Sequence, residues 1–353
     1  MGDGKVLGNF LTTVSLKEPE EVPVVIWGLA LWYTKRLGIR ARDYYQGLEI
    51  KLDTQIKLQD EFPDALALPG IWPDFGVVAE ASAFGCPLVW KEDQAPVARP
   101  AITTMSQVLT MKPVNVKTDG LLPRVLETYE FYFRHLDARY IEEYGHLDGS
   151  VFFLGPLETA ALVRGYCEFL IELIDNPKLV HKLLDIVTDT LLEWLEYLET
   201  RIGKIKRLML ADHFPTQISP EHYEEYFFPY VKRIFDHYPN SIKLYHNEGS
   251  VERILSRIAD LGCSIFHFGT DVKKTKEAIG DRVCLMGNLD PVRDMQNGTP
   301  ESVREKALKV LEAGAPGGGF ILSAAGVFGA DTPDENVRAM LDSVRAFKRR
   351  DHQ

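Results

Sequence analysis

One short stretch of the chain, residues 243–250, carries two side chains that can move protons or bind a metal. His246 and Glu248 lie two positions apart in an apolar strand segment, a spacing that places both on one face of the strand. Gly249 ends the strand, and Ser250 is predicted to cap the helix that follows. Because β/α proteins place their chemistry at the carboxyl ends of strands, this stretch is the first candidate site.

Other predicted strand ends carry similar side chains. A single histidine at a strand end is more often a hydrogen-bonded structural residue. Here, however, Asp212 and His213 follow one strand, His267 lies in another, and Ser323 lies in the last. Such residues converge on one mouth when the strands close into a barrel. Together with His246 they predict a site built from several strands.

Strands and helices alternate along the chain, as in a parallel sheet with crossover helices. The count is close to eight, which predicts an α/β fold of the (β/α)8 TIM-barrel type in one domain spanning 1–353. Residues 1–22 form an N-terminal lead-in, and the Pro- and Gly-rich region 70–119 is an insertion with long βα loops over the mouth. The alternative is an open sheet in two halves. That alternative lacks a G-x-G-x-x-G fingerprint after the first strand.

Helix periodicity marks the segments that must hold these strands in place. Single continuous helices are predicted over residues 43–60, 126–144, 158–174, 178–201 and 250–261.

Composition limits the kinds of partner. The chain has 353 residues, 45% of them hydrophobic, and a net charge of -11. This acidic balance argues against nucleic acid or an anionic membrane as the main partner. The four cysteines form no C-x-x-C pair, and no apolar run approaches the length of a membrane span. We therefore expect a cytoplasmic protein. The oligomeric state stays open, and a homodimer is compatible with the sequence.

Several motifs resemble the uroporphyrinogen decarboxylase superfamily, closely over residues 155–347 and loosely in the first third of the chain. The motifs are Gly155-Pro156, Leu162-Val163-Arg164-Gly165, Leu289-Asp290-Pro291, Gly298-Thr299-Pro300-Glu301, Gly318-Gly319-Phe320-Ile321-Leu322-Ser323 and Thr332-Pro333-Asp334-Glu335. The resemblance implies a (β/α) barrel. It leaves the activity open, because the superfamily contains decarboxylases and corrinoid-dependent methyltransferases.

The decarboxylase branch, as the resemblance describes it, has an arginine-rich N-terminal loop that holds porphyrin carboxylates. At the similar place this chain has aromatic residues, including Trp27, Trp32 and Tyr33. A polyanion needs guanidinium groups there, so this branch is disfavoured. A decarboxylase of a small aromatic or porphyrin-like acid is kept as one alternative. A module that binds a corrinoid or porphyrin without turnover is another.

The methyltransferase branch fits better, with one departure. Its thiol-methylating members hold zinc through His-x-Cys and a later Cys. This chain keeps His246 but has Glu248 at the first Cys position and Gly326 where the second is expected. A thiol acceptor is therefore disfavoured, although transfer from methylcobalamin to another acceptor stays open. Zinc held by His246 and Glu248, with Asp212 or His267 as a third ligand, is a further hypothesis.

The resemblance then favours an O-demethylase component, which moves a methyl group from a small methoxylated aromatic to the cob(I)alamin of a separate corrinoid protein. Such a reaction expels a phenolate, and a positioned acid lowers its barrier. The catalytic candidates are His246, Glu248, Asp212 and Tyr33. The substrate-binding candidates are Trp27, Trp32, Trp72, Phe75, His213, His267 and Ser323.

Overall fold

A computed structural model describes residues 5–28 and 30–351, and its centre is one sheet of eight parallel strands. The strands are β1 (Val24–Trp27), β2 (Leu66–Leu68), β3 (Ser150–Leu154), β4 (Arg207–Ala211), β5 (Ile242–Asn247), β6 (Ile265–Phe268), β7 (Cys284–Leu289) and β8 (Phe320–Ala324). Nearly all of their residues are buried, as expected for a parallel sheet covered by helices. The predicted α/β class is confirmed.

The strands follow the order β2-β1-β8-β7-β6-β5-β4-β3, which is the cyclic order of a (β/α) barrel. β1 and β5 are four strands apart and would lie about 19 Å from each other in a flat sheet. The rings of Trp27 on β1 and His246 on β5 are nevertheless only 4.6 Å apart. The sheet is therefore rolled into the barrel-type form that the sequence predicted.

Side-chain contacts join the two ends of the sheet, β2 and β3, between which the described residues form no ladder. Just after β2, the Trp72 ring lies 4.8 Å from that of Phe152 on β3. Before β3, Nδ1 of buried His146 accepts a hydrogen bond from the Ile71 backbone N–H (3.4 Å), and its Nε2 lies 3.0 Å from Gln59 Oε1. Packing thus covers the seam between the end strands.

The α-helices lie mostly on the outside of the sheet, and each helix of the described chain is too short or too polar to cross a lipid bilayer. They are α1 (Lys5–Val14), α2 (Ala30–Arg36), α3 (Ala41–Gln46), α4 (Leu48–Glu61), α5 (Ala79–Ala83), α6 (Leu122–His135), α7 (Ala138–Tyr144), α8 (Pro156–Arg164), α9 (Tyr166–Asp175), α10 (Pro177–Ile202), α11 (Pro220–His222), α12 (Phe228–His237), α13 (Leu255–Asp260), α14 (Val272–Ile279), α15 (Pro300–Gly314) and α16 (Asp334–Asp351). The 3-10 turns are Met105–Thr110, Phe214–Gln217 and Glu252–Ile254, and the π-helical turns are Tyr223–Phe227 and Pro291–Gln296.

Several helices predicted as continuous are broken. The predicted helix over 43–60 divides at Gly47, which has an extended conformation, and the one over 158–174 divides at Gly165, whose φ is +97°. The third break lies between α6 and α7. Glycine leaves a helix at low conformational cost, so apolar periodicity continues through it while the backbone does not.

The predicted cap at Ser250 is also wrong. Ser250 is exposed, and the following 3-10 turn starts at Glu252 with no side-chain cap.

Two predicted non-barrel regions contain some regular structure. The lead-in forms α1, which buries Phe10, while residues 1–4 lie outside the described residues. The insertion over 70–119 contains α5 and a short antiparallel pair, Leu88–Val89 with Val97–Ala98. The division of the chain into lead-in, insertion and barrel stays a prediction.

A buried lysine on α4 should make stability depend on pH. Lys51 Nζ lies 3.6 Å from the centre of the Phe75 ring and has no hydrogen-bond partner among the described residues. Burial lowers the pKa of Lys51 to about 7, although nearby Asp74 opposes the shift. The unfolded chain therefore binds more protons than the folded one above pH 7, and stability rises with pH.

This rise is expected to contribute about 2 kcal/mol to the free energy of unfolding between pH 7 and 9. Lys51→Met should remove it, as measured by denaturant titration at several pH values. Lys57→Met, at an exposed position of the same helix, is the matched control and should keep the wild-type slope. An unchanged slope in Lys51→Met would refute the assignment.

Candidate functional site

Three side chains from the ends of β4 and β5 meet at the carboxyl end of the sheet. His246 lies in β5, Glu248 follows the last residue of that strand, and His213 follows β4 by two residues. One possible ligand atom from each lies within 4.8 Å of the other two. We call these three residues the His-His-Glu cluster. Glu248 lies at the rim, while His246 is buried beside it.

The electrostatic state of the cluster suits metal binding. Burial lowers the pKa of His213 to about 4. Burial also lowers the pKa of His246, and neighbouring His267 and His213 add to that effect. Both imidazoles are therefore neutral near pH 7, the form that binds metals. His213 Nε2 and His246 Nδ1 are buried and have no hydrogen-bond partner among the described residues.

His267 supports His246 from the neighbouring strand. Their ring centres are 4.5 Å apart, and His267 Nε2 lies 2.7 Å from the carbonyl oxygen of Ala324, to which it can donate. Burial lowers the pKa of His267 to about 3, so it is neutral as well. The third member of the cluster is thus His213, and the expectation of Asp212 or His267 in that place is corrected.

Asp212 stabilises the start of α8, and its predicted catalytic role stays a prediction. It is fully buried, and its Oδ2 accepts hydrogen bonds from the backbone N–H groups of Leu157 (3.0 Å) and Glu158 (3.1 Å). These are free N–H groups in the first turn of α8, so Asp212 caps that helix from another strand. Burial, then the nearby carboxylate of Glu158, raise the pKa of Asp212.

Glu158 is a site residue that the sequence reasoning missed. Its Oε2 accepts a hydrogen bond from the His213 backbone N–H (3.0 Å) and lies 4.0 Å from His213 Nδ1. This places a carboxylate behind one imidazole nitrogen while the other, Nε2, stays without a partner. Metal-binding imidazoles often have a carboxylate near the second ring nitrogen. Here the 4.0 Å separation allows an electrostatic interaction and not a hydrogen bond. The position of Glu158 in the first turn of α8, beside the strand ends, was the available sequence signal.

Under the zinc hypothesis, Glu158→Gln is expected to weaken zinc binding roughly tenfold, because a neutral amide stabilises the neighbouring imidazole less than a carboxylate does. The measurement is zinc affinity by chelator competition. Glu168→Gln on α9 is the control and should leave the affinity unchanged. Equal zinc affinities in wild type and Glu158→Gln would exclude a supporting role for this carboxylate.

Gly326, in the loop after β8, provides the space that Glu248 occupies. A Cβ atom at position 326 would lie 1.6 Å from Glu248 Oε2, far inside contact distance. A Cβ atom at Gly269 would lie 2.2 Å from the Glu248 carbonyl oxygen. Glu248 is therefore held between two loops that approach closely only because both residues lack a side chain.

Two of the predicted aromatic residues lie at the cluster or next to it. Trp27 is buried, and its ring centre lies 4.6 Å from that of His246, 4.7 Å from that of His267 and 6.1 Å from that of Phe152. Half-buried Trp72 also packs against Phe152, with ring centres 4.8 Å apart. Trp27 therefore fixes the histidine rings, whereas Trp72 extends the aromatic wall toward the insertion.

The structure does not bring the other predicted aromatic residues to the cluster. The Tyr33 hydroxyl donates to Glu61 (3.0 Å), and the Trp32 indole N–H donates to the Thr332 carbonyl oxygen (2.8 Å). Phe75 lies under Lys51. These three side chains are buried in contacts away from the cluster, and the catalytic role of Tyr33 and the substrate contacts of Trp32 and Phe75 stay predictions.

Ser323 is buried in β8, between β1 and β7, and its Oγ has no hydrogen-bond partner among the described residues. Its predicted contact with substrate stays a prediction.

The donor set of the cluster is two imidazole nitrogens and one carboxylate oxygen. Three such ligands with further positions open are typical of catalytic zinc and of some other divalent metals. The unpartnered ring nitrogens are consistent with this use, so the residues present fit a divalent cation.

Comparison with known proteins identifies the family. Residues 8–347 match the family described as Uroporphyrinogen decarboxylase (URO-D), and the chain therefore belongs to it. Members of this superfamily include decarboxylases and methyltransferases. The match confirms the resemblance read from the motifs.

The relatives point to both branches. The chain is 28% identical over 179 residues to a uroporphyrinogen decarboxylase of Psychromonas ingrahamii, covering 48% of this chain and 49% of that protein. It is 29% identical over 286 residues to a methylated-thiol--coenzyme M methyltransferase of Methanosarcina mazei, covering 78% of this chain and 71% of that protein. The chain thus spans about half the length of the decarboxylase, and the longer match supports the corrinoid-dependent methyltransferase branch.

A solved structure shares the fold. A methyltransferase from Methanosarcina mazei superposes with a TM-score of 0.79 at 19% identity, covering 96% of this chain and 98% of the other. This similarity supports the barrel-type architecture over nearly the whole chain.

Proposed function

We propose that this protein is a corrinoid-dependent methyltransferase that takes its methyl group from an aryl methyl ether and passes it to the cobalt of a separate corrinoid protein. The observation that carries the proposal is the His-His-Glu cluster, which offers nitrogen and oxygen donors and no sulfur. A thiolate-bound metal suits a thiol substrate, whereas a harder donor set suits an oxygen leaving group.

The cysteines support this choice. Cys284 begins β7 and Cys263 precedes β6, so both lie at the amino end of the sheet, opposite the cluster. Burial raises the pKa of Cys263 to about 12 and raises that of Cys284 as well, so both remain thiols near pH 7. Cys86 is buried with a raised pKa, and Cys167 is exposed on α9.

The chain's residues would divide the chemistry as follows. His213, His246 and Glu248 would hold a divalent cation, which would supply Lewis-acid stabilisation of a developing phenolate. In the transfer the C–O bond of the methoxy group breaks, the methyl group bonds to cobalt, and the aryl oxygen leaves with the bonding electron pair. Glu158 and Trp27 position the two imidazoles. Near neutral pH the imidazoles keep their ring nitrogens free for the cation, because burial holds them neutral.

One observation weighs against a porphyrin decarboxylase. Arg36 follows the aromatic segment after β1, and its guanidinium forms ion pairs with Glu61 and Asp334. It is therefore committed to the outer helices and does not serve a polyanion at the barrel mouth. The segment before it, residues 23–35, contains no arginine.

The test incubates the purified protein with cob(I)alamin and a panel of methoxylated aromatics, thioethers and methylamines. We expect the absorbance change from cob(I)alamin to methylcobalamin with the aryl ethers, and zinc in elemental analysis. Transfer from thioethers alone, or carbon dioxide release from aromatic or porphyrin acids without any corrinoid, would overturn the proposal.

A further inference from the structure

A large cleft opens beside Glu248 on the outer side of the cluster. Its volume is about 870 Å³, and it lies between the loops that follow β6, β7 and β8. Its wall continues down α15, where Val310 and Ala313 provide apolar surface. The cleft is large enough for a small aromatic ligand that reaches Glu248 at one end.

The acidic and basic side chains of this cleft differ in how fully their charges are already paired or hydrogen-bonded. Its two aspartates are used as helix caps. Asp271 accepts a hydrogen bond from the Lys274 backbone N–H (2.9 Å) at the start of α14. Asp290 accepts from the N–H groups of Val292 (2.9 Å) and Arg293 (2.7 Å). Both carboxylates are therefore directed toward backbone donors of their own turns.

Two of the four basic side chains that line the cleft are not in an ion pair within the described residues. Lys273 and Lys306 line the cleft, and neither lies within 4 Å of a carboxylate oxygen in the part of the chain that the structure describes, although the charge of Lys306 helps to lower the pKa of Asp294. Lys306 is half-buried on α15, which lowers the screening of its charge by water. Arg293 and Lys309 also line the cleft but pair with Asp294 and Glu305. In a chain with a net charge of -11, this is a local site of available positive charge.

We propose that this cleft is an anion-binding subsite in which Lys273 and Lys306 hold a carboxylate carried by the aromatic methyl donor. The inference rests on the proposed function, because it places the methoxy end of the donor at the His-His-Glu cluster. The apolar wall of α15 contacts the ring, and the lysines select an acid over a neutral analogue of the same shape.

The test compares two ligands of nearly equal shape, 4-methoxybenzoate and 4-methoxybenzamide, by isothermal titration calorimetry on the full chain. The wild-type protein should bind the acid more tightly than the amide. Lys273→Met/Lys306→Met should weaken acid binding about three- to tenfold and leave amide binding unchanged. Higher salt should weaken binding of the acid alone.

Lys274→Met is the matched control, because Lys274 is adjacent in sequence but pairs with Glu252 outside the cleft. It should keep the preference for the acid. Equal binding of acid and amide by wild type, no acid binding, a preference that survives the double substitution, or loss of amide binding in that variant would each overturn the inference.

This readout is separate from methyl transfer. Lysine-dependent acid binding without methyl transfer from any aryl ether would leave the subsite standing and refute the proposed function. Methyl transfer from neutral ethers, with no preference for acids, would support the proposed function and refute the anion-binding subsite.

Discussion

Removing either His246 or Glu248 from the cluster is expected to abolish methyl transfer. His246→Ala and Glu248→Gln should each lower the rate at least about a hundredfold, because each removes a ligand of the cation that stabilises the phenolate, a contribution of several kcal/mol. Zinc content should fall in parallel. The measurements are the rate of methylcobalamin formation and elemental analysis of the purified variants.

Comparing the two variants separates loss of the cation from loss of stability. His246→Ala opens space beside Trp27 and removes buried ring contacts, so it also costs stability. Glu248→Gln is nearly isosteric, lies at the rim and should leave the fold intact by circular dichroism. His237→Ala changes a histidine on α12 that pairs with Glu196 (3.0 Å), and it should retain activity. Full turnover by Glu248→Gln would remove the cluster from the mechanism.

Adding a methyl group at position 326 is expected to lower zinc affinity and the rate of methyl transfer nearly as much as removing the Glu248 carboxylate. Gly326→Ala places a Cβ atom 1.6 Å from Glu248 Oε2, so the carboxylate must leave its position near His213 and His246. We expect at least a tenfold loss of zinc affinity and a similar loss of rate, roughly the effect of disturbing a ligand. Chelator competition and the methyl-transfer assay measure these losses.

A double substitution identifies the cause. If Gly326→Ala acts through Glu248, then Gly326→Ala/Glu248→Gln should be no worse than Glu248→Gln alone, because coupled residues are not additive. Gly8→Ala is the control, since a Cβ atom at that position meets nothing within 4 Å. Additive losses in the double variant would point to general damage of the loop after β8.

The sequence predicted the parts of the site that depend on strand periodicity. His246 and Glu248 were expected to share a face because residues two apart in a strand do so. The structure ends β5 at Asn247, so Glu248 lies just after the strand, but both residues are in one cluster. The choice between Asp212 and His213 was beyond this reasoning. β4 ends at Ala211, and the direction of the next two side chains is set by α8, whose N-terminus attracts the Asp212 carboxylate.

For the fold, the sequence predicted the class and the strands but not the positions of the helix breaks. Apolar runs gave the strands and their alternation with helices, which decide the class of fold. The helix breaks at Gly47 and Gly165 were missed because an apolar stripe is a property of side chains, while the break is a property of the backbone. Glu158 was missed because its role comes from contact with a residue 55 positions away.

Trp27 has a consequence for the order of events in the proposed reaction. Its ring reaches across the lumen to residues on β3, β5 and β6, so the passage through the barrel is closed at the level of His246. A methyl donor and a cobalt centre must then arrive from the same outward side. Under the proposed function the small donor has to be seated before the larger carrier protein covers the opening, and the demethylated product leaves only after that carrier departs.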